Sequence, residues 1–436
     1  MPLDTELFIQ QAAPGATLII DAMPGSAAVA LGIWFPAGSA YESEDEQGLS
    51  HFVEHMLFKG AGERNAEALS RVIDREGGSL NAFTEREAVC IHCTLPADKA
   101  ELAAQLLLDM AYRPRFSRAD FELEKDIIVS EILAAEDDLE EAGQDVFYAM
   151  SYPEQPIGRS IAGKADIVQS HAFESLVSFH ERRIQNAPVL MTIAGDVDCQ
   201  AMAALFSKAL EQRSRGTKAP LTAPAVYPGR FTKARAMVSA TGSQVYFFTG
   251  LPLAEPLRED DYWMLSLVSS AYGESMSSRL FMRLREREGL CYSIGTSFSF
   301  SRLAGLWGVA SACSASQFPR FADAYRREAQ SLFESGLHAE EIREALSRIR
   351  GMLRVASDDV EFRMNRLARQ YLFDGQAENL AVSLERLNQP RFSDETTVGL
   401  YIRTRLDPER ENVLLYGTIS KRVLKAGADA FKAVKA

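Results

Sequence analysis

Each half of the chain contains the same succession of a short apolar strand, a glycine and a helical pattern. In the first half it begins at Asn186 and runs into a helical pattern at 199–212, and in the second half it begins at Asn412. An earlier pair of segments, 69–77 and 281–289, predicts two helices that each end at a glycine, the residue that most readily adopts a left-handed C-cap conformation. Two such similarities at comparable offsets indicate a tandem repeat of one fold.

A segment from Ser214 to Arg230 separates the two halves. It is rich in Pro, Gly, Thr and Ala and has no apolar period, which is typical of an interdomain linker. The sequence therefore predicts an N-terminal domain at 1–213, a linker at 214–230 and a C-terminal domain at 231–436. Within each domain, small groups of strand patterns are separated by long helical patterns. This organisation predicts an α+β fold in which an antiparallel-dominated sheet has helices packed on one face.

Composition and charge argue against several kinds of partner. Hydrophobic residues make up 47% of the chain and charged residues 25%, as in a soluble globular protein with a full core. The net charge of −13 is unlike the basic surface of a nucleic-acid-binding protein. The longest apolar run, near Ala27 to Gly38, is shorter than the about 20 residues of a membrane span. No basic and apolar leader follows Met1, and the five cysteines fit a reducing compartment, so we expect a cytoplasmic protein.

Two of the cysteines lie close together, in Cys90-Ile91-His92-Cys93. This could be half of a structural zinc site, but such a site needs about four ligands and no second pair with this spacing follows. Residues 88–95 alternate as a β-strand does, which would place Cys90 and His92 on one face and Cys93 on the other. We interpret these residues as part of a strand.

The segment His51-Phe52-Val53-Glu54-His55 is an H-x-x-E-H sequence. Its surroundings are apolar nearly all round, which predicts a short buried helix. Histidines four residues apart lie on the same helix face and can bind one ion together. Glu54 lies beside them, where it can take a proton from a metal-bound water, and this residue order is the inverted zincin motif. The alternative is a pair of core histidines with ordinary hydrogen-bond partners and a surface glutamate.

A zinc hydrolase needs a third protein ligand on another element. Ser117 begins a capping box that predicts the start of a long helix. One stripe of this helix consists of Glu124, Ile127, Ile128, Glu131 and Ala135. Its apolar members predict that it faces inward, where an acid is costly unless it is paired or binds a metal. We predict Glu131 as the third ligand and Glu124 as a group that hydrogen-bonds a histidine or the water; the alternative is two acids that reach solvent.

The stretch from Gly38 to Gly60 resembles the pitrilysin-type M16 metallopeptidases, which include insulin-degrading enzyme and the mitochondrial processing peptidase. In that family the ligand glutamate follows H-x-x-E-H by about 75 residues. Glu131 lies 76 positions after His55, and Glu124 matches the family's additional acid. The resemblance covers essentially the whole chain and fits the short, two-domain bacterial M16B type. It implies the LuxS/MPP-like metallohydrolase fold, one zinc ion per chain and metalloendopeptidase activity.

The same resemblance assigns residues beyond the zinc site. Asn81, Ala82 and Phe83 match the family's edge strand, which pairs with the backbone of an extended peptide substrate. Arg285 and Tyr292 match a pair that binds the substrate carbonyl and stabilises the oxyanion. The alternatives for these two segments are an ordinary sheet edge, and a charged helix end followed by a strand tyrosine.

The expected reaction is the hydrolysis of peptide bonds. Zinc would lower the pKa of its water to about 7, and Glu54 would take the proton and pass it to the leaving amine. In longer relatives, four repeats form two halves around a chamber. By analogy, two chains of this length would form a homodimer, or a heterodimer with an M16-like partner, in which Arg285 and Tyr292 of one chain complete the site of the other. A chamber would limit substrates to peptides or unfolded segments.

Other functions remain open on the sequence alone. The chain could be a zinc-binding subunit or scaffold without catalysis of its own, or a non-proteolytic zinc hydrolase. Intact Glu54, Arg285 and Tyr292 favour an active peptidase. Within that class, both peptide degradation and the maturation of a peptide are compatible with the sequence.

Overall fold

The computed structural model describes residues 3–214, 228–253 and 257–435. These residues form two compact units, each assembled from three segments. The first unit comprises the described parts of Met1–Ala134, Arg159–Tyr227 and Arg354–Ser383. The second comprises the described parts of Ala135–Gly158, Pro228–Leu353 and Leu384–Ala436. Each unit therefore combines most of one half of the sequence with a segment from the other half. Residues 215–227 of the predicted linker lie outside the described residues.

The first unit contains the first eight strands of the chain. They are β1 (Leu7–Ala13), β2 (Ala16–Ala22), β3 (Ala28–Phe35), β4 (Gly60–Ala61), β5 (Arg64–Asn65), β6 (Ser79–Thr84), β7 (Val89–Pro96) and β8 (Val189–Gly195). Six of them form one sheet in the order β1-β2-β8-β3-β7-β6, and β4 pairs with β5 in a short ribbon. Neighbours in the sheet are antiparallel except β2 and β8, which are parallel.

The second unit contains the remaining strands. They are β9 (Arg235–Ser239), β10 (Gln244–Pro252), β11 (Ser293–Ser299), β12 (Leu306–Ser314), β13 (Asn412–Gly417) and β14 (Val434–Lys435). Their order is β11-β12-β10-β13-β9-β14, and the pair β13 and β9 is parallel, as β8 and β2 are in the first sheet. Strands β8 and β13 are therefore equivalent, and these are the strands that the sequence similarity at Asn186 and Asn412 predicted. Two domains of α+β class are confirmed, and each draws a segment from the other half of the sequence.

The helices of both units follow one numbering along the chain. They are α1 (Leu49–Leu57), α2 (Ala66–Glu76), α3 (Ala100–Tyr112), α4 (Arg118–Asp137), α5 (Leu139–Ser151), α6 (Ala165–Ser170), α7 (Phe173–His180), α8 (Cys199–Ser214), α9 (Glu259–Ser269), α10 (Phe318–Ser335), α11 (Ala339–Val355), α12 (Val360–Asp374), α13 (Leu380–Arg386), α14 (Pro390–Ser393), α15 (Glu395–Arg405) and α16 (Lys421–Phe431). Three further segments are π-helical: Glu181–Gln185, Ser270–Glu274 and Phe281–Arg287.

The sheet of the first unit buries apolar side chains on both faces. On one face, α1, α3 and α8 pack against it, with Leu31 and Phe52 in the core between them. On the opposite face lies α12, whose Met364 packs in a second core with Trp34. A Cβ at Gly32 would lie 2.6 Å from Met364 Sδ, so glycine at this position allows α12 to approach the strand. Among the described helices, α1, α3 and α8 thus share one face, and α12 from the second half of the sequence covers the other, where the sequence predicted no helix.

A buried ion pair fixes α12 to this sheet. Arg363 on α12 donates to the Asp21 carboxylate on β2 at 2.8 Å, and the two side chains are 0% and 2% exposed. The Arg363 guanidinium also donates to the Ser357 carbonyl oxygen at 2.7 Å and to the Thr5 hydroxyl at 3.1 Å. Because removal of one partner leaves the other charge buried and unpaired, this pair ties the docking of α12 to the first strands of the chain.

The second unit has the same arrangement, but here the second half of the sequence supplies the sheet and the first half supplies a helix on its second face. Its sheet is packed on one face by α10 and α16, where Phe247 contacts Phe321. The opposite face holds α5, which the first half of the sequence contributes, and Phe147 of α5 contacts Phe248. A Cβ at Gly143 would lie 2.5 Å from the Phe248 ring. In both units, therefore, the second face of the sheet is covered by a helix from the other half of the sequence.

The cysteine segment is a strand, as predicted. Cys90 on β7 lies in the core under α12, and Cys93 lies in the core on the opposite face. All five cysteines are free thiols. Within residues 3–214, 228–253 and 257–435, the structure contains no helix that combines the length and the apolar character needed to cross a membrane.

Candidate metal centre

Helix α1 positions the three polar residues of the H-x-x-E-H sequence. It begins after Gly48, which has φ 86°, a value that favours glycine. The apolar residues of α1 are buried, whereas His51, Glu54 and His55 are partly exposed on the remaining face. The imidazole rings of the two histidines lie with their centroids 4.6 Å apart. The spacing of four residues therefore brings both rings to one face of a short, largely buried helix, as predicted.

The N-terminus of α1 is held by Glu42, a residue that sequence reasoning missed. Its carboxylate accepts hydrogen bonds from the Gly48 N–H at 3.0 Å and the Ser50 N–H at 2.7 Å. Glu42 is 3% exposed, and burial raises its pKa to about 7 although hydrogen bonds from Ser50 and Gly48 lower it. A helix N-terminus has free N–H groups and a partial positive charge. The Glu42 carboxylate accepts hydrogen bonds from two of these N–H groups and offsets the positive charge. An acid six residues before the glycine that caps a helix is too common a pattern to have identified Glu42 from the sequence.

Replacing Glu42 with alanine is expected to lower the free energy of unfolding by about 2–3 kcal/mol, because two buried N–H groups lose their acceptor. Glu42→Gln should lose less stability, since its amide oxygen can still accept a hydrogen bond.

The same residue should make stability depend on pH. Because the carboxyl group of Glu42 has a raised pKa in the folded state, that state binds more protons than the unfolded state between about pH 4.5 and pH 7. Wild-type stability should therefore fall as pH rises through that window, and Glu42→Gln should lack this component. Urea titrations between pH 5 and 8 measure both effects. The exposed Glu44 supplies the control; equal midpoints for Glu42→Ala and Glu44→Ala would contradict the assignment.

Helix α4 brings the distant acids to α1. It begins where the sequence predicted, since the Ser117 hydroxyl accepts a hydrogen bond from the Asp120 N–H at 3.1 Å. One turn into the helix, the ring of Phe121 stacks on Phe52 of α1, with centroids 4.7 Å apart and planes 2° from parallel. Both rings are fully buried. This stacked pair fixes the separation of the two helices and hence the reach of the acids farther along α4.

His51, His55 and Glu131 converge on one point. One ligand atom from each lies within 4.8 Å of the others, and in the described part of the chain this is the one group of three or more His, Cys, Asp or Glu side chains with such spacing. His55 Nε2 lies 3.3 Å from Glu131 Oε2. Tetrahedral zinc, with bonds of about 2.0–2.2 Å, needs ligand atoms about 3.4 Å apart. The donor set therefore fits a zinc ion, with ligand atoms that lie up to 4.8 Å apart moving closer together when the ion binds.

The protonation state of His51 also fits a metal ligand. Burial, and then the neighbouring His55, lowers its pKa to about 4, so the imidazole is neutral near pH 7 and has a free lone pair. Its Nδ1 atom is buried and has no hydrogen-bond partner among the described residues. An unsatisfied buried ring nitrogen is unfavourable in a protein core, so His51 does not behave as a core histidine with ordinary hydrogen-bond partners.

A second layer of polar groups orients His55. The Glu124 carboxylate, 3% exposed, lies 2.9 Å from His55 Nδ1 and accepts a hydrogen bond from it. This leaves Nε2 as the nitrogen that faces Glu131. The other oxygen of Glu124 forms a salt bridge with Lys59. A carboxylate behind a ligating histidine fixes the tautomer and the ring orientation, and Glu124 makes the hydrogen bond to a histidine that the sequence predicted for it.

Glu54 lies beside the histidines and has its own support. The Thr84 hydroxyl, at the end of β6, donates to Glu54 Oε2 at 2.6 Å. Burial raises the pKa of Glu54, and this effect exceeds the lowering by Thr84 and His55. A carboxylate held by one oxygen keeps the second available for a proton, and a raised pKa suits an acid–base role. Thr84 was not recognised as a site residue because nothing in its local pattern distinguishes it.

The inward face of α4 is narrower than its apolar pattern predicted. Phe121, Glu124, Ile128 and Ile132 are buried, but Ile127 is 39% exposed. The prediction that Ile127 faces inward is therefore wrong. The Glu131 side chain is 50% exposed and lies at the boundary between the buried face and the solvent-facing part of the helix.

The residues predicted to bind substrate lie on β6, an edge strand that pairs with β7 in the first sheet. Asn81 is exposed, and its amide oxygen accepts a hydrogen bond from the Ala82 N–H at 2.9 Å. Ala82 belongs to the core on the α1 face. The Phe83 ring lies on the opposite face, 5.4 Å from the ring of Trp34 and 5.7 Å from that of His92. The edge position agrees with the prediction, while the side chain of Phe83 packs away from α1.

Arg285 and Tyr292 belong to the second unit. Arg285 lies in the π-helical segment, with its guanidinium carbon 4.5 Å from the ring centroid of Phe281 and 6.0 Å from that of Tyr292. Tyr292 is 78% exposed. Gly289, at φ 60°, allows the chain to turn between them. The structure thus brings the predicted pair together and leaves the phenol open to solvent.

Comparison with known proteins gives matches in both halves. Residues 17–165 match the insulinase description of peptidase family M16, and residues 172–349 match the peptidase M16 inactive domain. Relatives from Mycobacterium bovis and Mycobacterium tuberculosis, each named an uncharacterized zinc protease, are 30% identical over 395 residues, which cover 90% of this chain and 89% of theirs. YmxG of Bacillus subtilis, named in the same way, is 26% identical over 86% of this chain and 92% of its own length.

Solved structures show the same fold. A crystal structure described as the peptidase M16 inactive domain from Pseudomonas fluorescens has a TM-score of 0.84 and 16% identity, with 94% of this chain and 98% of that chain covered. A protease from Helicobacter pylori also has a TM-score of 0.84, at 14% identity, with 95% of this chain and 100% of that chain covered. With matches to M16 descriptions in both halves and relatives 30% identical along 90% of its length, this chain belongs to the M16 (insulinase) peptidase family.

Proposed function

We propose that this protein is a zinc-dependent endopeptidase that cleaves peptides or unfolded segments, with one zinc ion per chain. The observation that supports this most strongly is the convergence of His51, His55 and Glu131 beside Glu54. Relatives of nearly the same length are named zinc proteases. The free thiols of all five cysteines favour work in the reducing cytoplasm.

In this proposal each residue of the site has one task. His51, His55 and Glu131 hold the zinc ion, and Glu124 orients the ring of His55. Zinc bound there supplies Lewis acidity that activates water and polarises a carbonyl group. Glu54 takes a proton from the attacking water on its free carboxylate oxygen and returns it to the nitrogen of the leaving amine. Thr84 keeps the other oxygen of Glu54 in place.

The substrate backbone would be held by strand addition at β6. An edge strand offers main-chain N–H and C=O groups that pair with an extended peptide whatever its sequence. The hydrogen bond from the Ala82 N–H to the Asn81 side chain supports this role, because the side chain satisfies an edge donor that a peptide could take over. Arg285 and Tyr292 would hold the carbonyl oxygen on which negative charge develops. The exposed phenol of Tyr292 suits that task.

The direct experiment is cleavage of a mixture of synthetic peptides by the purified chain, read by mass spectrometry. Cleavage should occur with zinc, stop with a chelator and return when about one equivalent of zinc per chain is restored. A small ester offered in parallel tests for a non-proteolytic hydrolase. A chain that binds zinc but cleaves no peptide, even when an M16-like partner from the same source is added, would overturn the proposal. Cleavage that depends on the partner and persists with Glu54→Gln in this chain would instead identify a non-catalytic subunit.

We further propose that two chains enclose the substrate in a dimeric chamber, in which Arg285 and Tyr292 of one chain serve the zinc site of the other. Mixing Glu54→Gln with Arg285→Ala, each of low activity alone, should then restore up to about a quarter of the wild-type rate, since in a random mixture half of the dimers are hybrids with one intact site. Peptide cleavage after subunit exchange measures this. No recovery, in samples where labelled chains are seen to exchange, would contradict sharing between chains.

A further inference from the structure

Lys59 lies just beyond the helix that carries the two candidate histidine ligands, and it contacts an acid of α4. Helix α1 ends at Leu57, and the Lys59 N–H donates to the Met56 carbonyl oxygen at 3.1 Å. The Lys59 ammonium group forms a salt bridge with Oε1 of Glu124. The side chain of Lys59 is 24% exposed and that of Glu124 is 4% exposed. A cation from the end of α1 therefore meets a buried carboxylate of another helix.

The backbone around Lys59 is fixed by contacts outside the candidate metal centre. Gly60, the next residue, begins β4, which pairs with β5. The Gly60 carbonyl oxygen accepts a hydrogen bond from the Arg115 N–H at 2.9 Å, and α4 begins three residues later at Arg118. Lys59 is therefore held where the segment that follows α1 meets the segment that precedes α4.

Glu124 uses its two oxygens for two different partners. Oε1 faces Lys59, and Oε2 lies 2.9 Å from Nδ1 of His55. A carboxylate that accepts from one ring nitrogen leaves the other nitrogen free for a metal ion, as long as the carboxylate keeps its orientation. Rotation of this buried carboxylate away from Lys59 would leave its charge without a cation, which is costly. The salt bridge with Lys59 therefore fixes the direction in which Glu124 presents its second oxygen.

We infer that Lys59 is a positioning residue of the candidate metal centre, which holds Glu124 so that His55 keeps its proton on Nδ1 and presents Nε2 to zinc. This rests on the zinc site of the proposed function. Lys59 acts through Glu124 and takes no part in the proton transfers. The stacked rings of Phe52 and Phe121 set the separation of α1 and α4, whereas Lys59 sets the orientation of the polar group between these helices.

Replacing Lys59 tests this role through the affinity for zinc. Lys59→Met should raise the dissociation constant for zinc about tenfold, the lower end of the loss expected for an outer-layer partner of a metal site. Lys59→Arg keeps a cation that can pair with the carboxylate and should stay within about threefold of the wild type. Competition titrations with a chelating dye measure the affinity, and thermal melts of the zinc-free proteins show that each variant is folded. Should Lys59→Met not fold, Lys59→Leu takes its place.

Lys99→Met is the matched control. Lys99 is also a partly exposed lysine, and it pairs with the carboxylate of Glu76, which is not one of the three converging residues. This variant loses the same charge and one ion pair, and it should bind zinc as the wild type does. A loss of affinity equal to that of Lys59→Met would show a general effect of charge and would overturn the inference.

A double-mutant cycle tests whether Lys59 acts through Glu124. Glu124→Ala alone should weaken zinc binding about 10- to 100-fold. The addition of Lys59→Met should change that affinity by less than about threefold, because the group that Lys59 positions is already absent. A further tenfold loss in the double variant would mean that the two residues act independently, and the inference would be wrong.

A second readout needs no zinc. In the zinc-free wild type, heteronuclear NMR of labelled histidine should show His55 with its proton on Nδ1, and in Lys59→Met it should show a mixture of both tautomers. The His55 signal is identified by its absence from His55→Asn. The inference fails if Lys59→Met keeps either the zinc affinity or the single tautomer of the wild type. Neither measurement uses peptide cleavage, so a chain that binds zinc but cleaves no peptide would overturn the proposed endopeptidase and not the role of Lys59.

Discussion

Replacing Glu54 with glutamine is expected to lower kcat for peptide cleavage by about 10²–10⁴-fold, while zinc content stays at the wild-type level. The amide keeps the shape of the side chain and can still accept the hydrogen bond that Thr84 donates. It cannot take a proton from water or return one to the leaving amine. Since Glu54 is not among the three converging ligand atoms, zinc should remain bound. Steady-state kinetics on one peptide, with metal analysis of the same samples, measures both quantities.

The control for this variant is Glu63→Gln, which removes an exposed carboxylate from the turn between β4 and β5. It should have the wild-type kcat and KM. A Glu54→Gln protein with zinc bound and a rate near that of Glu63→Gln would remove Glu54 from the mechanism. Loss of zinc together with activity would show that Glu54 supports the metal.

Replacing Glu131 with alanine should weaken zinc binding by more than about 100-fold, because it removes one of three protein ligands, a larger change than loss of an outer-layer partner. The second consequence concerns stability. Zinc at 1,000 times its dissociation constant stabilises a folded protein by about 4 kcal/mol, and the same concentration stabilises a protein with about 100-fold weaker binding by about 1.4 kcal/mol. Zinc should therefore raise the melting temperature of the wild type, and raise that of Glu131→Ala by at most about a third as much. Competition titrations and thermal melts with and without zinc measure the two effects.

Glu136→Ala is the matched control, since Glu136 is an exposed acid on the same helix and forms no part of the three-residue cluster. It should bind zinc as the wild type does. If Glu131→Ala bound zinc with wild-type affinity, the third ligand would have to be another residue, and the assignment of the centre would fail.

Residues of the candidate site could be predicted from the sequence wherever their positions depend on the periodicity of a single helix. His51 and His55 are fixed on one face by helical periodicity, and the capping box at Ser117 sets the phase of α4 and hence of Glu131. Periodicity gives the direction of a helix face but not its width, which depends on what packs against it. For this reason Ile127 was placed in the core and is exposed instead.

Contacts between distant segments could not be predicted in the same way. Glu42 supports α1 from a loop, and Thr84 reaches Glu54 from the end of a strand. Both contacts depend on how separate segments pack, which no single-sequence pattern contains. The fold class was predictable because each domain has its own succession of strand and helix patterns. The helices on the second faces were not, since α5 and α12 have the same amphipathic character as helices that stay with their own half.

The crossing of α5 and α12 to the opposite sheets has a consequence for how the chain reaches its native state. When only the first half of the chain has been synthesised, the sheet face that carries Trp34 is exposed to solvent. The residue that packs against it, Met364, has not yet been translated. The first unit can therefore complete its folding only after most of the polypeptide has been synthesised. A fragment that contains only the first half should aggregate or bind chaperones. Co-expression of two separate halves, cut within 215–227, should rescue both, since each fragment brings the helix that the other lacks.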